Sequence, residues 1–445
     1  MAMALIHASS RPFGQTLLLL AALLWMTPAV SAKDPIMLDR TGGFSIGGRI
    51  MPNPSNPDQT LSCDWGYMEY FIPVNARRTS IVMWHSSSTQ VWQNRWDGGE
   101  GFKDKFLRRG YPVYIWDPPR VGRANWACRD YEYRLSYRDQ GNFAAWNLGR
   151  QYPNFYSDTK FPKDNENAWY HATRTRYMEF DTEDNIEVQT DAAAVAIDSG
   201  LLGDSIVFLT NSASGLRAMY SAIKAETNNT VGIVNYETIG LIYPDDAGIE
   251  GGGGFDYVIP SEKFDRLANV KAIQFVWGDH RDDSFTYYPR SQMVMDMINE
   301  RGGNAEFMHL GRDKGLKGST HSPFMDMDND KVAEVLDEFL ERHGLDGYPG
   351  EAEEEEPTKE EPTKEEPEKE KPEKEEPEKE EPEKEEPEKE EVVGKGNESG
   401  DEANKGDDDA SDDTETGDAA GEEDEEEDAG DEEEPPEVEW VLESK

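Results

Sequence analysis

The sequence predicts an α/β protein whose core is a mostly parallel β-sheet with helices on both faces. Between residues 80 and 343, six apolar or β-branched runs alternate with five amphipathic segments. Strands that are covered by helices on both sides are apolar along their whole length, and strand–helix alternation is typical of parallel sheets. The globular region, residues 33–348, is long enough for one such domain with an insertion.

The individual elements follow from local patterns, taken in chain order. Apolar and β-branched runs predict strands at 80–85, 112–117, 205–210, 231–237, 271–279 and 305–310. Apolar residues at helical spacing predict helices at 100–109, 186–199, 214–228, 291–301 and 329–343. The crossovers between parallel strands are expected to be right-handed.

Residues 118–180 interrupt this alternation. The segment is rich in aromatic residues, among them Phe143, Trp146 and Trp169. A structureless loop of this length is unusual inside a compact domain. We therefore interpret the segment as an inserted cap over the carboxyl ends of the strands. The alternative is a second small aromatic core, which is compatible with a cap because a cap must itself be held together.

The first 32 residues have the pattern of a secretory signal peptide. Arg11 precedes a short apolar core at 17–25, and small residues at 29–32 suit a cleavage site. The apolar core is too short to cross a bilayer comfortably. We expect a secreted, extracellular protein with no membrane span after the signal is removed. An uncleaved anchor is the alternative.

The last region, residues 349–445, is an acidic tail rich in Pro, Glu and Lys. From Glu351 onward it has 47 acidic and 11 basic residues, a net charge of −36, and the rest of the chain carries −12. Proline at every fifth position over much of its length, with few apolar residues, predicts an extended, disordered segment. The acidic balance argues against nucleic acid as a partner, because phosphate binding needs a basic surface. Binding of cations or basic surfaces by the tail stays open, as does a homodimer.

The chain has two cysteines, Cys63 and Cys128. In an oxidising compartment they predict one disulfide bond. Two buried free thiols are the alternative.

Residues 210–215 form a strand-to-helix turn that carries a candidate nucleophile, Ser212. A predicted buried strand precedes the turn and an amphipathic helix follows it, which is the context of a nucleophile elbow. Thr210 and Ser214 stand where the usual G-x-S-x-G motif has glycine. An ordinary loop serine is therefore the alternative.

A second polar turn follows the strand at 80–85, which ends in His85. This position suits the loop that donates a main-chain N–H group to a developing oxyanion. Ser86 or Ser87 is the candidate donor in this loop, and Ala213 is the candidate second donor.

The candidate base is His321, which follows the last predicted strand and precedes the last helix. A carboxylate must orient this imidazole and stabilise its charged form. Glu237 ends the strand after the elbow's helix, and Asp279 follows the next strand. Both positions can reach the base in a sheet of this type.

These segments resemble those of secreted bacterial and fungal esterases of the α/β-hydrolase superfamily, over roughly residues 60–345. The resemblance implies a Ser-Glu-His triad and favours Glu237 over Asp279, because the acid in that branch follows the strand after the elbow. Asn211 and Ala213 differ from the His and Gln of that branch. The similar segments are 81–85, 97–102, 107–114, 117–123, 210–215 and 318–321.

The expected function is hydrolysis of a small-molecule carboxylic ester, or of a lactone, through an acyl-enzyme on Ser212. His85, Trp92 and Trp96, together with the cap, are expected to shape the substrate pocket. The alternative is a non-catalytic binding protein on a hydrolase scaffold, with an acidic interaction tail.

No cofactor or metal is expected. Residues 326–330 begin like a calcium loop, but the required glycine and final glutamate are replaced by Lys331 and Asp337. We interpret these acids as helix N-cap residues.

Overall fold

The computed structural model describes residues 33–86, 88–133, 135–178, 182–249 and 255–350. The predicted signal peptide, and the predicted tail beyond its first two residues, lie outside this range.

The largest element is an eight-stranded sheet. The strands in chain order are β1 (Leu38–Asn53), β2 (Asn56–Pro73), β3 (Ser80–His85), β4 (Val113–Asp117), β5 (Gly149–Gln151), β6 (Asn154–Phe155), β7 (Ile206–Asn211), β8 (Thr230–Tyr236), β9 (Leu241–Pro244), β10 (Asp256–Ile259), β11 (Ala272–Trp277) and β12 (Ala305–His309). The main sheet has the order β1-β2-β4-β3-β7-β8-β11-β12. Within this sheet, the neighbouring strands β4, β3, β7, β8, β11 and β12 are parallel to one another. Strand β2 pairs antiparallel with both β1 and β4. The predicted mostly parallel sheet is confirmed.

The described part of the chain has nine α-helices: the five predicted ones, with ends shifted by up to four residues, and four that were not predicted. They are α1 (Phe102–Arg108), α2 (Asp139–Ala145), α3 (Glu166–Arg174), α4 (Glu183–Asp198), α5 (Ser214–Lys224), α6 (Ser261–Phe264), α7 (Tyr287–Glu300), α8 (Leu310–Asp313) and α9 (Asn329–Arg342). Helix α4 begins three residues before the predicted start because Thr182 caps it, accepting a hydrogen bond from Asn185 N–H. Among the described helices, none combines the length and apolar character of a membrane span.

The long antiparallel hairpin β1–β2 was not predicted. The residues of β1 are exposed or half-buried along its whole length, so the strand has no continuous apolar run. Helix α4 packs against this hairpin at Gly47, where an added Cβ would lie 2.8 Å from the Ala192 side chain. Because Gly47 also has a φ of +71°, a larger residue would be strained as well as crowded there.

Residues 118–178 contain helices α2 and α3 and the short β5–β6 hairpin. Their aromatic side chains pack on one another: the Phe143 ring centroid lies 4.7 Å from that of Phe155 and 5.9 Å from that of Trp169. The segment therefore has an aromatic core of its own. It also contacts the loop of the candidate base, since His321 N–H donates to the Trp146 carbonyl at 2.9 Å.

Cys63 and Cys128 form a disulfide bond, as predicted from the secreted context. The bond joins β2 to the start of the inserted segment. Beside it, Arg120 Nε donates to Asp64 Oδ1 at 2.7 Å, and both side chains are almost fully buried. Sequence patterns did not indicate this ion pair.

Candidate active site

Ser212 lies at a sharp turn between β7 and α5. Its φ of +59° is in the left-handed region, which non-glycine residues rarely adopt and which is typical of a nucleophile elbow. The turn is held on both sides: Ser212 N–H donates to Tyr236 O at 3.1 Å, and Gly215 N–H donates to Ser212 O at 3.1 Å. This geometry distinguishes Ser212 from an ordinary loop serine.

The two residues that replace the motif glycines are both hydrogen-bonded in the interior. Thr210 Oγ1 donates to Asn235 Oδ1 at 2.6 Å, so its hydroxyl points into β8. Ser214 is fully buried, and its hydroxyl accepts from Asn211 N–H at 2.9 Å and lies 2.7 Å from Trp84 O. Each side chain thus forms part of the packing around the turn.

Gly215 provides the close approach that the elbow requires. An added Cβ would lie 2.1 Å from Thr238 Oγ1. Thr238 belongs to the loop after β8, so the nucleophile turn and that loop are in direct contact.

Asn211, the last residue of β7, connects three parts of the site. Its Nδ2 atom donates to Tyr236 O and to His321 O, each at 2.9 Å. The side chain is completely buried. The amide is therefore a bridge from the nucleophile strand to the loop of the candidate base. The sequence signal was a polar residue at the end of an apolar strand.

His321 lies against Glu237. The His321 Nδ1 atom is 2.9 Å from Glu237 Oε2, which requires the proton on Nδ1 when the carboxylate is ionised. Glu237 is fully buried directly after β8, with a φ of +41°. Its other oxygen accepts from Gly278 N–H at 3.1 Å. The carboxylate is thus held at one position and in one orientation.

Arg281 is a cationic neighbour of Glu237 that was not predicted from the sequence. Its Nε atom donates to Glu237 Oε2 at 2.9 Å. Burial raises the pKa of Glu237, but the Arg281 charge and the hydrogen bond to His321 outweigh burial, so the pKa lies below its usual value. The carboxylate is therefore ionised at neutral pH and can stabilise a charged imidazole.

Asp279 has a different role from that of an acid beside the imidazole. Its Oδ2 atom accepts from Gly318 N–H at 2.8 Å, and its N–H group donates to Ser319 O at 3.1 Å. These contacts hold the loop that leads to His321. Of the two carboxylates that the strand order left open, the structure brings Glu237 against the ring.

The acids of residues 326–330 were expected to be helix N-cap residues, which is confirmed for Asp328 and wrong for Asp326. The N-cap of α9 is Asp328, whereas Asp326 is fully buried next to the loop of His321. Its carboxylate accepts from Thr320 N–H at 2.8 Å and from Trp96 Nε1 at 3.1 Å. Burial raises its pKa to about 7, although the hydrogen bonds from Thr320 and Trp96 oppose this rise.

Ser212 and His321 line one cavity of about 340 Å³, a size that suits a small-molecule ligand. Within the described part of the chain, the Ser212 hydroxyl and the His321 ring are not hydrogen-bonded to each other. Catalytic contacts of this kind often tighten only when substrate is bound. Of the candidate oxyanion donors, Ser86 and Ala213 line the same cavity, and Ser87 lies outside the described residues.

The predicted pocket residues divide into two groups. His85 and Trp96 line the cavity. Trp92 is not among the lining residues: it is fully buried and stacks on Phe324, with ring centroids 4.1 Å apart. Its neighbour Val91 lines the cavity instead. Sequence position near the oxyanion loop therefore did not predict which tryptophan lines the cavity, because Trp92 points into the core.

The inserted segment contributes much of the cavity wall. This segment was expected to form a cap, but its polar lining residues were not predicted from the sequence. The lining residues from this segment are Arg138, Asn142, Ala145, Trp146, Ala172, Thr175 and Arg176.

One group of described residues has the ligand types of a metal site. Asp158, Asp279 and His280 place side-chain oxygen and nitrogen atoms within 4.8 Å of one another. This group of residues was not predicted from the sequence. Its members already bond within the protein, since His280 Nε2 lies 2.9 Å from Asp158 Oδ1 and Asp279 accepts from Gly318 N–H. We regard it as an ion-pair cluster between the inserted segment and the loop after β11.

No protein-family profile matches the chain. Among curated proteins, it is 24% identical over 324 residues to a probable secreted lipase of a fungal species (strain ATCC 74256). This match spans 62% of the present chain and 85% of the lipase.

Among solved structures, the chain is similar to a bacterial esterase described as novel. The TM-score is 0.56 at 22% identity, over 70% of the present chain and 98% of the esterase. An esterase of Pyrococcus furiosus is more distant, with a TM-score of 0.37 and 11% identity over 68% of this chain and 91% of that one. At 22% identity, the similarity to the bacterial esterase shows a shared fold.

Proposed function

Because the chain has the fold of the α/β-hydrolase superfamily, we propose that it is a secreted serine hydrolase that cleaves a carboxylic ester. One observation carries the proposal. His321 lies 2.9 Å from the buried carboxylate of Glu237 and lines the same cavity as Ser212, which stands on a left-handed strand-to-helix turn. Nucleophile, base and acid thus come from the ends of three different strands.

The proposed reaction uses these groups in the order of a serine hydrolase. Ser212 Oγ attacks the ester carbonyl carbon while His321 Nε2 takes the hydroxyl proton. The imidazolium then gives this proton to the leaving alcohol, and an acyl group remains on Ser212. Water, deprotonated by His321, attacks the acyl carbon and releases the acid. Glu237 stabilises the imidazolium in both halves of the reaction because its charge lies beside Nδ1.

The oxyanion of each tetrahedral intermediate needs two or more donors. Ala213 N–H is suited to this because it precedes the first turn of α5, where main-chain N–H groups have no partner within the helix. The second donor is the N–H group of Ser86 or Ser87. Loss of one such donor lowers turnover by about 100-fold or more in comparable sites.

The relatives agree with this reading in two respects. One is named a probable secreted lipase and another an esterase, so ester hydrolysis and secretion both have support outside this chain. A lactone is an internal ester and would use the same groups. The alternative, a non-catalytic binding protein, is favoured only by the replacement of both elbow glycines, and those replacements are hydrogen-bonded in the structure.

A fluorophosphonate probe and a chromogenic ester test the proposal together. The wild-type protein is expected to be labelled at Ser212 and to hydrolyse p-nitrophenyl butyrate. Ser212→Ala is expected to lose both properties, whereas Ser62→Ala, an exposed serine on β2, keeps them. Hydrolysis that persists in folded Ser212→Ala would exclude Ser212 as the nucleophile. Absence of both labelling and hydrolysis in the wild type would favour the binding protein.

A further inference from the structure

The cavity that Ser212 lines differs from the rest of this acidic protein in the charged side chains around it. The whole chain carries a formal net charge of −48. Among the described lining residues, by contrast, the side chains with a permanent charge are Arg138 and Arg176, and none is Asp or Glu. Arg138, together with the absence of Asp and Glu among the described lining residues, favours an anion as the ligand of this cavity.

Arg138 and Asn142 form a pair at the start of helix α2. They are four positions apart, and Asn142 N–H donates to Arg138 O at 2.7 Å, so the two residues lie one helical turn from each other. Both line the cavity. Within the described residues, no carboxylate lies at salt-bridge distance from Arg138. Its guanidinium therefore has its donors available to a ligand.

Asn142 supplies the second, independent observation. The residue is 4% exposed, and its Nδ2 atom has no hydrogen-bond partner in the described part of the chain. Buried amide donors are almost always paired, because an unpaired one loses its bonds to water without replacement. The residue lines the cavity, and a ligand oxygen that reaches Nδ2 would complete its hydrogen bonding.

We propose that the preferred substrates are esters that carry a carboxylate group, bound by Arg138 and Asn142. This inference rests on the proposed ester hydrolysis and narrows its substrate class. An Arg guanidinium binds a carboxylate through paired, charge-assisted hydrogen bonds, and the Asn142 amide adds a neutral donor. The apolar side chains of Trp96, Trp146 and Phe285 line the remainder and suit a short carbon chain.

Matched ester pairs test the inference. One pair is p-nitrophenyl hemiglutarate and p-nitrophenyl valerate, which have equal chain lengths and differ by an acyl-side carboxylate. The other is 4-acetoxybenzoate and its methyl ester, which differ by a carboxylate on the leaving group. We expect kcat/KM to favour the charged member of at least one pair. Raising the salt concentration is expected to reduce this preference because it screens the attraction.

Substitutions at Arg138 and Asn142 test whether these residues cause the preference for charged esters. Arg138→Gln is expected to lower the charged-to-neutral ratio of kcat/KM about tenfold or more, and Asn142→Leu is expected to lower this ratio less. Arg150→Gln is the matched control, because Arg150 is exposed on β5 of the same inserted segment and does not line the cavity. The inference is overturned if the wild type prefers neither charged ester, or if Arg138→Gln changes both members of a pair equally.

A binding measurement separates this inference from the proposed function. Calorimetry with glutarate on the Ser212→Ala protein does not depend on catalysis. We expect glutarate to bind, and Arg138→Gln in the same background to bind it at least tenfold more weakly. Hydrolysis of neutral esters without any glutarate binding would contradict the proposed carboxylate preference and leave the proposed ester hydrolysis intact. Absence of all hydrolysis and probe labelling would remove the proposed function.

Discussion

Asn211 Nδ2 donates a 2.9 Å hydrogen bond to the main-chain carbonyl of His321, so the strand before the nucleophile is joined directly to the loop of the base. The same amide also donates to Tyr236 O, immediately before Glu237. One buried side chain therefore connects the backbones that carry all three proposed catalytic groups. This relationship gives Asn211 a positioning role without contact to substrate.

Asn211→Ala is expected to lower both stability and turnover. It removes the Asn211 donor from the buried carbonyl of His321, whereas the Tyr236 carbonyl keeps its hydrogen bond from Ser212 N–H, and we expect a cost of about 2 kcal/mol in the free energy of unfolding. Turnover is expected to fall tenfold or more, because small displacements of a base reduce rates steeply. Urea unfolding and kcat on p-nitrophenyl butyrate measure the two effects.

Asn229→Ala is the matched control for this prediction. Asn229 also donates its Nδ2 to a main-chain carbonyl, that of Ile197, at 3.3 Å, but it lies before β8, at the opposite end of that strand from the site. It is expected to lose some stability and keep kcat. Equal kcat values for the two variants would contradict a positioning role for Asn211.

Glu237→Gln is expected to lower kcat on the order of 10³-fold while leaving most of the fold intact. The amide keeps the size of the side chain but not the charge that stabilises the His321 imidazolium. Asp279→Asn is the control, since Asp279 bonds to Gly318 N–H rather than to the ring. Its kcat is expected to stay within a few-fold of the wild type. A larger loss in Asp279→Asn than in Glu237→Gln would reverse the assignment of the acid.

Asp326 predicts a pH dependence of stability. Its pKa is raised from the usual 3.8 to about 7, so between these pH values the folded state binds more protons than the unfolded state. The free energy of unfolding therefore falls with rising pH across this window, by up to about 1.4 kcal/mol per pH unit for one group. Below about pH 4 this contribution is fully present, and above about pH 7 it is lost.

Asp326→Asn isolates this group because the amide does not titrate. Urea unfolding of both proteins at several pH values from 4 to 8 measures the difference. The variant's stability is expected to decline less between pH 4 and 7 than that of the wild type, whatever its absolute value. Parallel pH profiles for the two proteins would show that Asp326 titrates at its ordinary pKa.

Gly215→Ala is expected to destabilise the protein strongly. The new Cβ would lie 2.1 Å from Thr238 Oγ1, and 2.7 Å from the Thr238 Cβ, so a change of rotamer does not relieve the contact. We expect a loss of about 2 kcal/mol or more in the free energy of unfolding. Gly141→Ala on helix α2 is the control, because an added Cβ there meets nothing within 4 Å. That variant is expected to be neutral or stabilised by up to about 1 kcal/mol.

The sequence by itself determined the central part of the fold. Apolar runs such as 80–85 and 205–210 match β3 and β7 to within one residue at each end, because strands buried on both faces must be apolar throughout. The chain order of elements also predicted that the candidate nucleophile, the candidate base and both candidate acids lie near one another, since carboxyl ends of parallel strands meet at one edge of a sheet. The hairpin β1–β2 was not predicted because β1 has no buried residue and the first residues of β2 are exposed or half-buried, so neither strand is apolar throughout.

Only the tertiary structure decided which polar side chains meet. Glu237 and Asp279 follow neighbouring strands and are equivalent by position, yet only Glu237 contacts the His321 ring. Trp92 and Trp96 are four residues apart, and one is core while the other lines the cavity. Asn211 and Asp326 likewise have hydrogen-bond partners distant in sequence, His321 and Trp96. The physical reason is that periodicity reports which face of an element is buried, whereas the partner of a polar group depends on how separate elements pack.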